Sequence, residues 1–282
     1  MKIIHHTDID GKCAGAIVKT KYPQGILIPY DYGRFPFDQI RQHEEIVIVD
    51  CSLRPNDMLM LIYASNPGTP VEIKNITWID HHATAIDKYK NFQFDIPGKR
   101  EVGVSGCKLT WNYFYTQCPP YAVEFINDYD LWKFNIPISK TFVTGLKYHD
   151  TSPDNSQLWS PLFDDNDAIL NDIIQKGKII SKVEENRWRG YSSAYGFPVY
   201  WKEYKCFCLN SGGANMDAFG NLAQTYDILI AFVYQHPEYR VTLFTTSTKI
   251  DVSKIATEYG GGGHKQAAGF RCSQLPFLED KA

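Results

Sequence analysis

The chain has 282 residues, 44% of them hydrophobic, which suits one large or two modest packed domains. A net charge of −3 excludes a surface coated in basic residues that would grip long duplex DNA nonspecifically. Seven cysteines form no C-x-x-C metal pair, and their odd count argues against a closed disulfide framework.

Apolar runs at residues 2–6, 26–29, 46–50 and 76–80 read as short strands, with helical stretches at 11–21 and 56–65 between them. That alternation, continued to about residue 150, predicts an α/β domain with a mostly parallel sheet and helices on both faces. Residues 151–166, rich in Ser, Pro, Asp and Asn, read as loop. The near-helical spacing of Ile169, Leu170, Ile173, Ile174, Gly177, Ile180 and Val183 predicts a connecting helix over 167–189. Its acids at the start and arginines at the end favour that helix. Strands at 199–201, 206–209, 228–234 and 240–246, with helices at 216–224 and 252–259, predict a smaller second α/β domain. Cys206 and Cys208, two apart on a strand, share one face in a packing pattern. The expected division is 1–150 catalytic domain, 151–196 loop and connecting helix, and 197–282 substrate-binding domain. No stretch reaches about 18 apolar residues, and Met1 leads directly into a strand. The expectation is therefore a cytoplasmic protein with no membrane partner.

Three of the predicted strands end in acids or imidazoles. They run into His6-Thr7-Asp8-Ile9-Asp10-Gly11, into Asp50-Cys51-Ser52 and into Asp80-His81-His82. Open α/β sheets bind ligands beyond the carboxyl ends of their strands, so these residues describe one oxygen-rich site. Carboxylates with some imidazole suit manganese, magnesium or iron better than zinc in a thiolate cage. Asp8 and Asp10, two apart, point the same way if the segment is extended. Cys51 and Ser52 read as packing and turn residues. Four consecutive glycines at 260–263, followed by His264 and Lys265, expose several backbone N–H groups where an anion would sit.

The set resembles the DHH phosphoesterase superfamily, whose first three motifs match these three strand ends. A fourth, acidic motif matches Ile126-Asn127-Asp128-Tyr129-Asp130. The segment Gly261-Gly262-Gly263-His264-Lys265-Gln266-Ala267-Ala268-Gly269 is similar to the signature of the DHH-associated domain. Two departures stand out. Many relatives carry the first-motif histidine four residues before the first aspartate, where this chain has Ile4. They also carry Arg-Ser on the later strand that here reads Thr245-Thr246-Ser247.

The resemblance implies two Mn2+ ions, with Mg2+ or Co2+ as substitutes. Asp50 would bridge them; His6 and Asp8 would complete one ion, and Asp10, His81 and Asp128 the other, with Asp130 as the alternate to Asp128. His82 would face the substrate phosphate and Asp80 would orient an imidazole from behind. Gly261, Gly262, Gly263, His264 and Lys265 would bind the end of the substrate away from the metals, with Arg240 as a further cation. The implied activity is a manganese-dependent phosphodiesterase, nanoRNase-like, that degrades short single-stranded oligonucleotides to nucleoside monophosphates. Cyclic dinucleotides, 3′-phosphoadenosine nucleotides and polyphosphate are rival substrates, and a nucleotide-binding sensor is the non-enzyme alternative. A homodimer is compatible with the resemblance. The loop at residues 30–34, Tyr30-Asp31-Tyr32-Gly33-Arg34, follows a strand toward the same rim.

Overall fold

A computed structural model of the chain describes residues 1–40, 44–63 and 73–279. The chain divides into two compact units, residues 1–180 and 181–282. In the first, strands β1 (Lys2–His5), β2 (Ile26–Pro29), β3 (Ile46–Val49), β4 (Ile76–Asp80) and β5 (Gly98–Arg100) form an all-parallel sheet in the order β2-β1-β3-β4-β5. Both faces are covered, so the strands are continuous apolar runs rather than alternating ones. Ile3, Val47, Val49 and Ile79 point into one layer of core. Ile4, Ile46, Ile48, Ile76 and Trp78 point into the other.

The helices of this unit are α1 (Ile9–Lys21), α2 (Pro55–Tyr63), α3 (Ala83–Lys88), α4 (Gly106–Phe114), α5 (Tyr121–Asp130), α6 (Ser139–Leu146), α7 (Ser156–Phe163) and α8 (Asp167–Tyr195). Of the helix expected over 56–65, residues 64 and 65 lie outside the described residues. The segment 151–166, expected as loop, contains α7: its polar composition hides Leu158, Trp159 and Leu162, which are buried and pay for one short helix. The expected connecting helix is longer than its periodicity predicts, 29 residues, and the division between the units falls inside it. Leu170, Ile173 and Ile174 pack in the first unit's core, whereas Trp188 and Tyr191 pack in the second's.

Helices α6 and α8 approach at a pair of glycines. A Cβ on Gly145 would stand 2.0 Å from the Ile173 carbonyl oxygen, and one on Gly177 2.0 Å from that of Thr141. Gly177→Ala is therefore expected to lower stability by about 1–3 kcal/mol, the usual scale of overpacking. A thermal melt of the metal-free protein checks this, and an unchanged melting temperature would show that the helices separate freely.

The second unit is a six-stranded mixed sheet ordered β10-β11-β9-β8-β7-β6. Its elements are β6 (Gly196–Trp201), β7 (Tyr204–Asn210), β8 (Ile228–Gln235), β9 (Glu238–Phe244), α9 (Val252–Glu258), β10 (Gly262–His264), β11 (Ala267–Cys272) and α10 (Pro276–Glu279). Cys206 and Cys208 are both buried on β7, and the helix expected at 216–224 is 3-10 with a break at Gly220. The Gly-rich segment, expected as loop, contributes β10, hydrogen-bonded to β11. Among the described residues no helix is long and apolar enough to cross a membrane.

Candidate metal centre

The parallel sheet reverses its direction of growth between β1 and β3, and this switch point is where open α/β sheets open a crevice beyond their strand ends. The three motif segments leave β1, β3 and β4 side by side there. Asp50 follows β3 in the left-handed backbone region, φ 54°, an uncommon conformation for a non-glycine residue that recurs at functional sites. It is 1% exposed.

Asp8 and Asp10 do not share a face as an extended segment would require, because α1 starts at Ile9. Asp8 is the N-cap, accepting from the Gly11 N–H at 2.9 Å, and Asp10 lies in the first turn. The two carboxylates serve opposite sides of Asp50. On one side, His6 Nδ1 lies 3.0 Å from Asp8 Oδ2 and 3.8 Å from Asp50 Oδ2. On the other, His81 Nε2 lies 3.2 Å from Asp50 Oδ1, 3.6 Å from Asp130 Oδ2 and 3.7 Å from Asp10 Oδ2. His6, Asp8 and Asp50 thus form one group of converging ligand atoms; Asp10, His81 and Asp130 form a second, and Asp50, His81 and His82 a third.

Of the two fourth-motif acids, Asp130, and not the favoured Asp128, lies among the converging ligand atoms. Both lie on α5, where residues two apart diverge by about 200° around the axis. Asp128 turns inward and is used up structurally. Its oxygens accept from the Asn135 and Ile136 N–H groups at 2.9 and 3.1 Å and from Ser139 Oγ at 2.6 Å. Asp130, at the end of the helix, reaches His81. Asp128→Asn is expected to lower the melting temperature, since a buried charged acceptor is worth about 1.5–3 kcal/mol per hydrogen bond, while divalent-ion content persists. Asp130→Asn is expected to lower ion content and to leave the metal-free protein melting at or above the wild type, because its carboxyl is already pushed up by burial and neighbouring acids. Metal analysis and melting of the two variants check the assignment; the reverse pattern would restore Asp128.

Other contacts hold the ligands in place. The N-terminus of α4 donates two N–H groups to Asp10, Gly106 at 2.6 Å and Cys107 at 2.9 Å, anchoring an anion at the positive end of a helix. Gly106 is required at this approach, because a Cβ there would stand 2.5 Å from Asp50 Oδ1. Asp80, fully buried, accepts from the His81 and His82 N–H groups and from His82 Nδ1 at 2.7 Å. Burial holds the His81 imidazole below its ordinary range, leaving it neutral with a lone pair to offer. Burial also acts on His82, but the Asp80 carboxylate outweighs it and lifts that imidazole above its ordinary range.

The electrostatics fit divalent cations. Burial, and then Asp10, Asp8, Asp130 and Asp80, push the Asp50 carboxyl well above the usual range. Burial, Asp10 and Asp8 push Asp130 up to about 9. Asp50 Oδ1 and Asp80 Oδ2 are buried with no hydrogen bond among the described residues. Carboxylates gathered this closely need positive charge between them, and oxygen with imidazole suits hard divalent ions. Cys51 is buried, which raises its thiol, and its carbonyl accepts from Trp78 Nε1, so it packs rather than reacts.

Sequence reasoning assigned no role to Asp31, Tyr32 or Gly106. Asp31 Oδ1 lies 3.3 Å from His6 Nε2, and the Tyr32 ring lies 5.3 Å from that of His6 and 6.1 Å from that of His82. Only the position of the 30–34 loop after a strand pointed to this.

In the second unit, Arg240, Thr242, Gly260, Gly261, Gly269 and Arg271 line a hollow of about 380 Å³. Arg240 also donates to the Gly212 carbonyl. His264 and Lys265 are exposed but do not line the hollow; Gly262, Gly263 and His264 form β10. In the stretch Thr245-Thr246-Ser247, Thr245 and Thr246 donate their hydroxyls to the Asp227 and Ala223 carbonyls.

No family model matches the sequence. Uncharacterized protein R106 of Acanthamoeba polyphaga mimivirus is 25% identical over 255 residues, 84% of this chain and 55% of that protein. The chain thus spans about half the length of this curated relative. The pGpG-specific phosphodiesterase PggH of Vibrio cholerae superimposes with a TM-score of 0.55 at 14% identity, covering 96% of this chain and 92% of that one. The DHH domain of a protein described as a member of the S1p family of ribosomal proteins superimposes with a TM-score of 0.52 at 13% identity, covering 95% and 81%. At these identities the likeness is one of fold.

Proposed function

We propose that this chain, which has the fold of the DHH phosphoesterase superfamily, is a metal-dependent phosphodiesterase that degrades short single-stranded oligonucleotides to nucleoside monophosphates. One observation carries the reading: Asp50 stands between two separate groups of ligand atoms, each completed by other acids and an imidazole. In this reading His6 and Asp8 hold one divalent ion, Asp10, His81 and Asp130 hold the other, and Asp50 serves both. Manganese is the preferred ion, with magnesium or cobalt as substitutes. Such a pair, when bound, lowers the pKa of water towards neutrality and neutralises charge on the attacking and leaving oxygens.

The chain's own residues supply the rest. Helix α4 holds the Asp10 carboxylate in place through two N–H groups. Asp80 fixes the His82 ring through Nδ1 and raises its basicity, leaving Nε2 as the donor to a phosphate oxygen. No serine or cysteine nucleophile is needed. The hollow beside Arg240, Gly260 and Gly261 is a basic concavity suited to an anionic group of a nucleotide. A linear dinucleotide substrate is supported by PggH, whose name gives it specificity for pGpG.

A substrate panel in manganese buffer tests the proposal. Diadenylate and other linear dinucleotides are expected to be hydrolysed, to nucleoside monophosphate, faster than eight-nucleotide strands, cyclic dinucleotides, 3′-phosphoadenosine 5′-phosphate or polyphosphate, the last followed by release of orthophosphate. Release from cyclic dinucleotides or polyphosphate alone would move the activity to that class. Tight nucleotide binding with no release from any substrate would make the chain a sensor.

A further inference from the structure

Immediately beyond the metal centre, α5 runs out into an aromatic cluster, half-buried at Tyr129 and Phe134 and exposed at Trp132, that the proposed chemistry does not use. Trp132 is 49% exposed, whereas Trp78, Trp111, Trp159 and Trp201 are all buried. Its ring lies nearly parallel to Tyr129, 28° apart with centroids at 6.2 Å, and meets Phe134 edge-on at 5.1 Å. Trp132 and Phe134 both adopt left-handed backbone, φ 52° and 48°. Bulky residues rarely do so, and such conformations gather at functional sites. Lysines surround the rings: Lys147 Nζ lies 4.8 Å from the Tyr129 centroid and donates to its hydroxyl, and Lys140 Nζ lies 6.0 Å from the Phe134 centroid.

Two ties fix this cluster at the rim of the centre. Trp132 is two residues from Asp130, so their Cα atoms are at most about 7 Å apart. Lys133 Nζ donates to the Gly103 carbonyl, three residues ahead of Gly106, whose N–H holds Asp10. A half-exposed indole, a parallel phenol and flanking ammonium groups, set within a few residues of a phosphoryl-cleaving centre, have the chemistry that binds single strands: π-faces for bases and cations for the backbone.

We infer that Trp132, backed by Tyr129 and Phe134 and rimmed by Lys140 and Lys147, is a stacking platform for a nucleobase next to the scissile phosphate. The inference rests on the phosphodiesterase reading and deepens it. The substrate is a base-bearing nucleic acid strand rather than polyphosphate, and base identity matters little because every base has a π-face.

The test compares kcat/KM on diadenylate with that on the same backbone lacking its bases, for the wild type, Trp132→Ala and Trp132→Phe. The preference for the base-bearing substrate is expected to fall roughly tenfold in Trp132→Ala, chiefly through KM, and to be largely retained in Trp132→Phe, with manganese content unchanged in both. Adenosine monophosphate is expected to quench tryptophan fluorescence in the wild type and to lose most of that quenching in Trp132→Phe. An unchanged preference in Trp132→Ala, or equal losses on both substrates with loss of manganese, would overturn the inference and leave Trp132 a support for Asp130. A switch from dimer to monomer with unchanged preference would make the cluster a subunit contact instead. If the wild type hydrolyses neither substrate, the phosphodiesterase reading fails, and the quenching comparison still decides the platform.

Discussion

Asp50→Asn is expected to lower phosphodiesterase activity by roughly a thousandfold or more, the consequence of losing several kcal/mol of charge stabilisation. Asn is chosen because it tolerates the left-handed backbone that Asp50 occupies, φ 54°, better than Ala does. The same substitution should have an opposite effect on the metal-free fold. Asp50 is buried among like charges, and its carboxyl in the folded protein titrates well above the usual range. The folded state therefore holds a proton that the unfolded state has released, and stability falls as pH rises from the ordinary aspartate range through the raised one. Asn carries no such penalty. Metal-free Asp50→Asn should melt at or above the metal-free wild type, with a gap that widens from pH 5 to pH 8. Manganese should raise the wild-type melting temperature strongly and that of the variant little, since ion binding stabilises the folded state by mass action. A metal-free variant that melts well below the wild type at pH 8 would show that Asp50 is a structural residue.

His81→Ala and His82→Ala should fail in different ways. His81 Nε2 lies within 3.2–3.7 Å of three carboxylates, and burial keeps its imidazole neutral, the form that binds metal. Its removal should lower bound manganese by about half and activity with it. His82 has one nitrogen committed to Asp80 and a pKa lifted by that carboxylate, which suits contact with a phosphate oxygen. Its removal should leave manganese content near the wild-type level and cut kcat by about a hundredfold, the usual scale for a positioned proton donor. Metal content and kcat measured side by side on the two variants check the division. Loss of manganese from His82→Ala alone would exchange the two roles.

The strand ends were legible in the sequence because the physics of a parallel sheet is local and repetitive. Runs such as Ile46 to Val49 are buried on both faces, so apolarity alone marks them, and the acid that ends each run has to lie at the rim. Long-range ties were not legible. Nothing near Asp10 announces that Gly106 and Cys107, about a hundred positions later, hold its carboxylate. The choice between Asp128 and Asp130 turned on local geometry. An extended segment would give both the same direction, whereas α5 turns them apart and Ser139 claims the first. Helix α7 escaped for a compositional reason, its three buried side chains being diluted by Ser, Gln and Pro161. The aromatic cluster of Tyr129, Trp132 and Phe134 includes two left-handed residues, Trp132 and Phe134, a conformation that composition does not announce.

Crystals grown or soaked with manganese and measured at its absorption edge give the most direct test of the shared-carboxylate centre. Two anomalous peaks about 3.5–4 Å apart are expected. One should be bounded by His6, Asp8 and Asp50, the other by Asp10, His81, Asp130 and Asp50. A single peak, or two peaks that do not share Asp50, would contradict a shared-carboxylate centre.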